Sequence, residues 1–310
     1  MTTLDGVAGL EALRTGAGAT WIDRDVVAAE GPDATSFLQG QLSQDVAPLA
    51  VGDAAPALLL SPQGKLVALL RVVRTGEAAY LLDVDAGWGE QVIERLERFK
   101  LRIDCALEAR PWRCLAVRGP EATEAVTAAS LPPGTWAAAA HWPGLAGVDL
   151  LGPDPAVPEG IPEVAPEAFE VARIEAGVPR MGAEITERTI PAEAGVVAAT
   201  VSFTKGCYTG QELVARIDSR GGNVARHLRR LAWSGEAGIG PGTALALPGE
   251  GDEGARAPGE VTSAARRLDG AGGVGLGYVR RAVEVPAELV ASTPGGPVPV
   301  EVRAIEPHAS

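Results

Sequence analysis

Two spacings of apolar residues alternate along this chain. In "DATSFLQGQLSQ" (33–44), Phe37, Leu38 and Leu42 share one side of a 3.6-residue repeat, which predicts a helix with Asp33 at its cap. "ALLLSPQGKLVALLRVVR" (57–74) predicts two apolar strands joined by a tight turn at Ser61-Pro62-Gln63-Gly64. "YLLDV" predicts another strand. Asp85 follows it and stands where it would cap a helix over 86–100, in which Ile93, Leu96 and Phe99 recur at helical spacing. "LRIDCALE" (101–108) then alternates strictly. Leu101, Ile103, Cys105 and Leu107 oppose Arg102, Asp104 and Glu108, the pattern of a half-buried strand. Cys105 on that face, and Cys114 in the strand-like "WRCLAVRG", read as small core residues.

The proline-rich stretch 151–166 reads as a connection. Pro166 suits the first position of a helix that runs through Ala176 and stops at Gly177. "VVAATVSF" (196–203) is β-branched and predicts a strand. Beyond about residue 228 the pattern shortens. "LRRLAWS", "GEVTSAARRL", "GVGLGYVRR", "ELVAST" and "VPVEVRAI" are brief strands between Gly- and Pro-rich turns, which predicts a small all-β domain closed as a barrel.

Composition narrows the function classes. A length of 310 residues fits two or three domains, and 4% aromatic content leaves Ala, Val and Leu to build the cores. A net charge of −13 argues against direct binding of nucleic acid, which requires phosphate neutralisation, and against an anionic membrane surface. Neither a secretory signal nor a run of about 20 apolar residues is visible. Three cysteines at irregular spacing (Cys105, Cys114, Cys207) fit neither a disulfide framework nor a Cys-rich zinc site. A reduced, cytoplasmic protein is the expectation.

The chemistry gathers at "FTKGCYTGQELVAR" (203–216). Thr209 followed three residues later by Glu212 fits a capping box, with Gly210 and Gln211 between them. Cys207 then precedes a helix N-terminus, where unpaired N–H groups carry partial positive charge. Lys205 adds a full charge, and Gly206 and Gly210 let backbone approach a ligand. Both charges suit a reactive cysteine. The same residues also fit a buried turn cysteine beside a solvated lysine, and local physics leaves the two readings open. Only Lys65, Lys100 and Lys205 are lysines among 27 basic residues, so a lysine beside this cysteine stands out.

Lys205-Gly206-Cys207-Tyr208-Thr209-Gly210-Gln211-Glu212 resembles the signature of the YgfZ family, folate-binding proteins linked to iron–sulfur cluster maintenance. "FLQGQLSQDV", "LSPQGKL", "RIEAGVPRMGAEI", "IPAEAG", "GEVTSAARR" and "GLGYVRR" extend the resemblance over most of the chain. The family is related to the T-protein of glycine cleavage, a tetrahydrofolate-dependent aminomethyltransferase. The resemblance implies an α+β fold: an aminomethyltransferase-like folate-binding region over 1–227, in subdomains of about 1–110 and 111–227, then a C-terminal β-barrel over 228–310.

The resemblance also implies tetrahydrofolate or a one-carbon derivative as ligand, with iron–sulfur enzymes as transient protein clients. A carboxylate can accept both the 2-amino group and the ring N–H of a pterin. Glu193 of Pro191-Ala192-Glu193 matches the segment that supplies it in the T-proteins. Arg173 and Arg216 are candidates for the anionic folate tail. Cys207, assisted by Lys205, is the candidate reactive centre. The transferases place an Asp a few residues beyond the hairpin turn, whereas Leu66, Val67 and Ala68 follow Gly64 here. A general acid or base must reach its proton, so the transfer reaction is in doubt. A folate-dependent aminomethyl- or methyltransferase and a folate-binding module without chemistry remain the alternatives.

Two further patterns carry less. Gly270-Ala271-Gly272-Gly273-Val274-Gly275 has dinucleotide-loop spacing but precedes a strand-like run rather than a helix. His227 lies downstream of Cys207 with no orienting third residue in view, and reads as a surface histidine.

Overall fold

The computed structural model describes residues 3–219, 221–249 and 257–305. The chain first forms β1 (Thr3–Leu4), α1 (Gly6–Thr15), β2 (Gly18–Ile22), β3 (Arg24–Glu30), α2 (Ala34–Gln41), β4 (Ala54–Leu60), β5 (Leu66–Gly76), β6 (Ala79–Asp85), α3 (Gly89–Glu97) and β7 (Ala106–Arg110). There follow β8 (Arg113–Arg118), α4 (Ala122–Ala128), β9 (Trp136–Ala139), β10 (Gly147–Gly152), β11 (Glu163–Val164), α5 (Pro166–Ala176), α6 (Val197–Thr200) and α7 (Gln211–Asp218). The last strands are β12 (Arg226–Ser234), β13 (Ala244–Ala246), β14 (Gly259–Arg266), β15 (Gly272–Arg280), β16 (Ala287–Thr293) and β17 (Gly296–Ala304).

Three sheets result. One is five-stranded in the order β4-β5-β6-β3-β7, and another is six-stranded in the order β1-β11-β2-β8-β10-β9. The C-terminal strands close a barrel, β12-β15-β14-β13-β16-β17, so the α+β region with a terminal β-barrel is the observed architecture. Closure removes the sheet edges that so many short strands would expose. Helix α5 packs on α1 and on barrel strands β14 and β15, and this contact joins the barrel to the six-stranded sheet. As expected, Pro166 opens α5 and Gly177 ends it in the left-handed conformation. The hairpin at 57–74 forms, with Gly64 N bonded to Ser61 O at 2.8 Å.

Four local expectations fail. Residues 196–203 are not a strand; Val197–Thr200 make one helical turn and the rest is irregular. The edge of β4 that a strand would need is already covered. Leu42 bridges Leu59, and Ser43 exchanges bonds with Leu58 at 3.0 and 2.8 Å.

The alternating run 101–108 enters a strand only at Ala106. Arg102 has φ 58°, and the turn leaves Leu101 85% exposed while Cys105 stays buried. Asp85 does not cap α3, which starts at Gly89. It pairs with Arg24 and accepts from Met181 N at 2.8 Å, while Asp25 reaches across to accept from Gly87 N and Gly89 N, both at 2.8 Å.

The capping box at Thr209 does not form either. The residue before α7 is Gly210, at φ 84° with no side-chain cap, and Thr209 turns to Gln41. A Cβ on Gly210 would lie 2.5 Å from Ser61 O, so close packing on the 61–64 turn requires glycine there.

Candidate functional site

A cavity of about 990 Å³ lies where the two sheets, α5 and the barrel meet. That is the upper end of the usual size range for small-molecule pockets. One wall carries Glu193, 6% exposed. Its Oε2 accepts from Arg226 Nε at 3.1 Å, and its backbone carbonyl accepts from Leu228 N at 2.8 Å, which ties the loop to β12. Oε1 has no hydrogen-bond partner among the described residues. With Oε1 free and a lone pair left on Oε2, the buried carboxylate can still accept paired N–H donors from a ligand, one on each oxygen.

Another wall is a buried charge network. Arg71 Nη1 donates to Asp149 Oδ2 at 2.7 Å and to Ala139 O at 2.9 Å, and Nη2 pairs with Asp83. Arg118 Nη1 donates to Asp149 Oδ1 at 2.7 Å, and Arg24 Nε to Asp83 Oδ1 at 2.6 Å. Arg71 thereby fastens the five-stranded sheet to the six-stranded one. Burial works against the charge on Asp149, but Arg118 and Arg71 outweigh it and hold the carboxyl well below the usual range. The Arg118 guanidinium also lies 4.4 Å from the Trp142 ring centre and 5.4 Å from that of Phe169. Sequence reasoning missed this network. Its signal was single charges inside apolar strand runs, as in "LVALLRVVR", "YLLDV" and "GVDLLG".

Of the tail candidates, Arg173 lines the cavity, but its N–H groups are held by the chain itself. They go to Glu170 as a bidentate pair at 2.8 and 2.9 Å, and to Val178 O, Glu184 and Ser263 Oγ at 2.6, 3.4 and 2.9 Å. Arg173 and Glu184 together rivet α5 and the 178–189 segment to β14. Glu184 Oε1 accepts from Thr262 Oγ1 and Ser263 Oγ at 2.7 and 2.6 Å. Arg216 is exposed on α7 and does not line the cavity. Arg229, on β12, does line it, and has no ion pair or side-chain hydrogen bond among the described residues. His227 also lines the cavity, so it is not the simple surface residue expected. Burial, Arg229 and Arg281 push its pKa down.

The Cys207 segment is a separate, outward feature. Cys207 and Gly206 are exposed, Tyr208 is buried, and Cys207 is not in the cavity lining. Lys205 does not turn its charge to the thiol. Its Nζ donates to the carbonyls of Gln39, Leu42 and Gln44 at 2.7, 2.8 and 2.8 Å and lies 5.3 Å from the Tyr208 ring centre. An ammonium has three N–H donors, and all three are taken. Burial pushes Lys205 down to about 8, with Asp45 acting in the opposite direction, so it keeps its proton at neutral pH. Burial likewise pushes Tyr208 up to about 12. Gln211 Oε1 accepts from Tyr208 N at 3.2 Å, whereas Glu212 is exposed on α7.

Cys105 and Cys114 are buried, and burial raises both thiols, Cys114 strongly. Alkylation of the folded protein is therefore expected to label Cys207 at least about tenfold faster than either of them, since they react only through local opening. Mass analysis of the labelled peptides checks this, and equal labelling of all three would refute it. Among the described residues no three His, Cys, Asp or Glu side chains gather to hold a metal, and no helix is long and apolar enough to cross a membrane.

Comparison with known proteins agrees with this layout. Residues 12–137 match the GCVT N-terminal domain. The crystal structure of the glycine cleavage system aminomethyltransferase T from Bartonella henselae superposes with a TM-score of 0.78 over 96% of this chain and 88% of that one, at 24% identity, which shows the shared fold. The mitochondrial iron-sulfur cluster assembly factor IBA57 homolog of Chaetomium globosum is 29% identical across 88% of this chain and 73% of its own length. The tRNA-modifying protein YgfZ of Serratia proteamaculans is 31% identical over 271 residues, 80% of either chain. An aminomethyltransferase-like fold and 31% identity across four-fifths of both chains place this protein in the YgfZ family.

Proposed function

We infer that this protein binds tetrahydrofolate or a one-carbon derivative in the central cavity, and that it supports the assembly or repair of iron–sulfur enzymes through the exposed Cys207. The observation that carries the folate half is Glu193: a buried carboxylate on the cavity wall whose Oε1 is free and whose Oε2, with Arg226 as its single partner among the described residues, keeps a lone pair, so that each oxygen can receive one of the paired N–H donors of a pterin. The relative named as an iron–sulfur cluster assembly factor supports the second half. The net charge of −13 favours action on protein clients rather than on RNA phosphates. The separation of thiol and cavity divides the labour, with the ligand held inside and a client met at the surface.

The fold also suits an aminomethyltransferase, but the hairpin does not supply the acid. Beyond Gly64 the chain turns Leu69, Leu70 and Arg71 to the cavity, and Arg71 is committed to Asp83 and Asp149. Supplied with tetrahydrofolate and an aminomethyl donor, the protein is expected to show no efficient transfer. The direct test of the binding reading is calorimetry with tetrahydrofolate. Glu193→Ala is expected to weaken binding by about 1.5–3 kcal/mol, roughly 10–150-fold in Kd, through loss of a charge-assisted pair. Undiminished affinity in a variant that melts like the wild type would remove Glu193 from the site.

A further inference from the structure

We propose that Lys205 is a positioning residue, a three-armed clamp that fixes the Cys207 segment on the end of α2, and that it does not activate the thiol by its charge. The last carbonyls of a helix lack intrahelical donors and carry partial negative charge. Gln39 O is one of these, and Leu42 O and Gln44 O follow directly after the helix end. Lys205 Nζ gathers all three at 2.7–2.8 Å. A planar guanidinium fork cannot converge three donors on one point between three carbonyls, whereas a tetrahedral ammonium can. This accounts for a lysine here in a chain that otherwise relies on arginine.

The clamp is the centre of a longer seam. Ser202 N donates to Ser43 O at 3.0 Å and Thr209 N to Gly40 O at 3.1 Å, one on each side of Lys205. Ser43 Oγ donates to Thr200 O at 2.6 Å, and Gln44 Nε2 reaches Ala199 O at 3.4 Å. Lys205 and the buried Tyr208 are thus adjacent anchors, and the two residues between them, Gly206 and Cys207, stand out into solvent. An exposed thiol on a segment held at both ends is presented in one place, which a transient client requires.

The importance of Cys207 is taken from the functional reading above, but the clamp itself is testable without it. In unmodified protein, amine acylation should label Lys205 at least about tenfold more slowly than the exposed Lys65, because its three N–H groups are engaged. Lys205→Met and Lys205→Arg should both raise hydrogen exchange at the Ser202 and Thr209 amides about tenfold or more, with barrel amides and folate affinity unchanged. Both should fail to restore iron–sulfur enzyme activity in cells lacking the protein. The dependence of Cys207 alkylation on pH should be the same in all three proteins.

Labelling of Lys205 as fast as Lys65 would overturn the clamp. So would a Lys205→Arg variant that keeps wild-type exchange and function, or an alkylation profile displaced only in Lys205→Met, since each says that charge alone suffices. Rescue by Cys207→Ser would count against the functional reading and leave the clamp standing.

Discussion

Asp149→Asn is expected to destabilise the folded protein by about 3–5 kcal/mol at neutral pH, the usual result of removing one partner from a buried ion pair. Asp149 accepts from Arg71 and from Arg118, both at 2.7 Å, and both guanidiniums are buried. Asparagine leaves two largely buried cations on the cavity wall without their shared counter-charge. The pH dependence gives the second half of the test. The folded-state carboxyl is held below its unfolded value of about 3.9. Its contribution is therefore fully present above about pH 4 and is lost as pH falls toward the folded value. The gap between wild type and Asp149→Asn should be full at pH 7 and narrow progressively below about pH 4. Chemical denaturation across that range measures it. A variant as stable as the wild type, or a gap that stays constant into acid, would mean that the network does not join the two sheets energetically.

On the function proposed above, Cys207→Ser is expected to fold, to bind tetrahydrofolate with wild-type affinity, and to abolish support of iron–sulfur enzymes in cells. The residue is a free cysteine exposed at the surface. It lies outside the cavity lining, so ligand affinity should not change. What the substitution removes is access to an anionic sulfur nucleophile, since a hydroxyl is a far weaker acid than a thiol. Enzyme activity in a strain lacking the protein, complemented with either form, reads the outcome. Full rescue by the serine variant would reduce the protein to a folate-binding module in which the thiol has no part. Loss of folate binding in the serine variant would instead join the two sites.

The elements that could be read from the sequence were those whose physics is local. Pro166 and Gly177 bracket α5 because ring geometry and a left-handed φ act within one residue. The 57–74 hairpin and the barrel strands follow from apolar runs broken by turn residues. The signature around Cys207 was visible as a motif, and Glu193 as a matching position. What local reasoning could not supply was the partner of each polar group. Thr209 and Glu212 had the spacing of a capping box, yet Thr209 found Gln41, and the tight approach of Gly210 to Ser61 decided the helix start. Residues 196–203 had the composition of a strand, but Leu42 and Ser43 had already taken the sheet edge.

The chain's own order of residues therefore determined α5, the 57–74 hairpin, the strand-rich C-terminal barrel, and the presence of one chemically distinct Lys–Gly–Cys segment. The tertiary structure alone decided what the charges do. Lys205, two residues from Cys207, directs its ammonium to carbonyls some 160 positions earlier in the chain, a separation of 166 residues for Gln39. Arg71 meets Asp149 across 78 residues, and Glu193 meets Arg226 across 33. A buried charge must be matched wherever the fold brings an opposite group or a set of dipoles within about 3 Å. Sequence spacing does not encode that distance, and only the folded chain does.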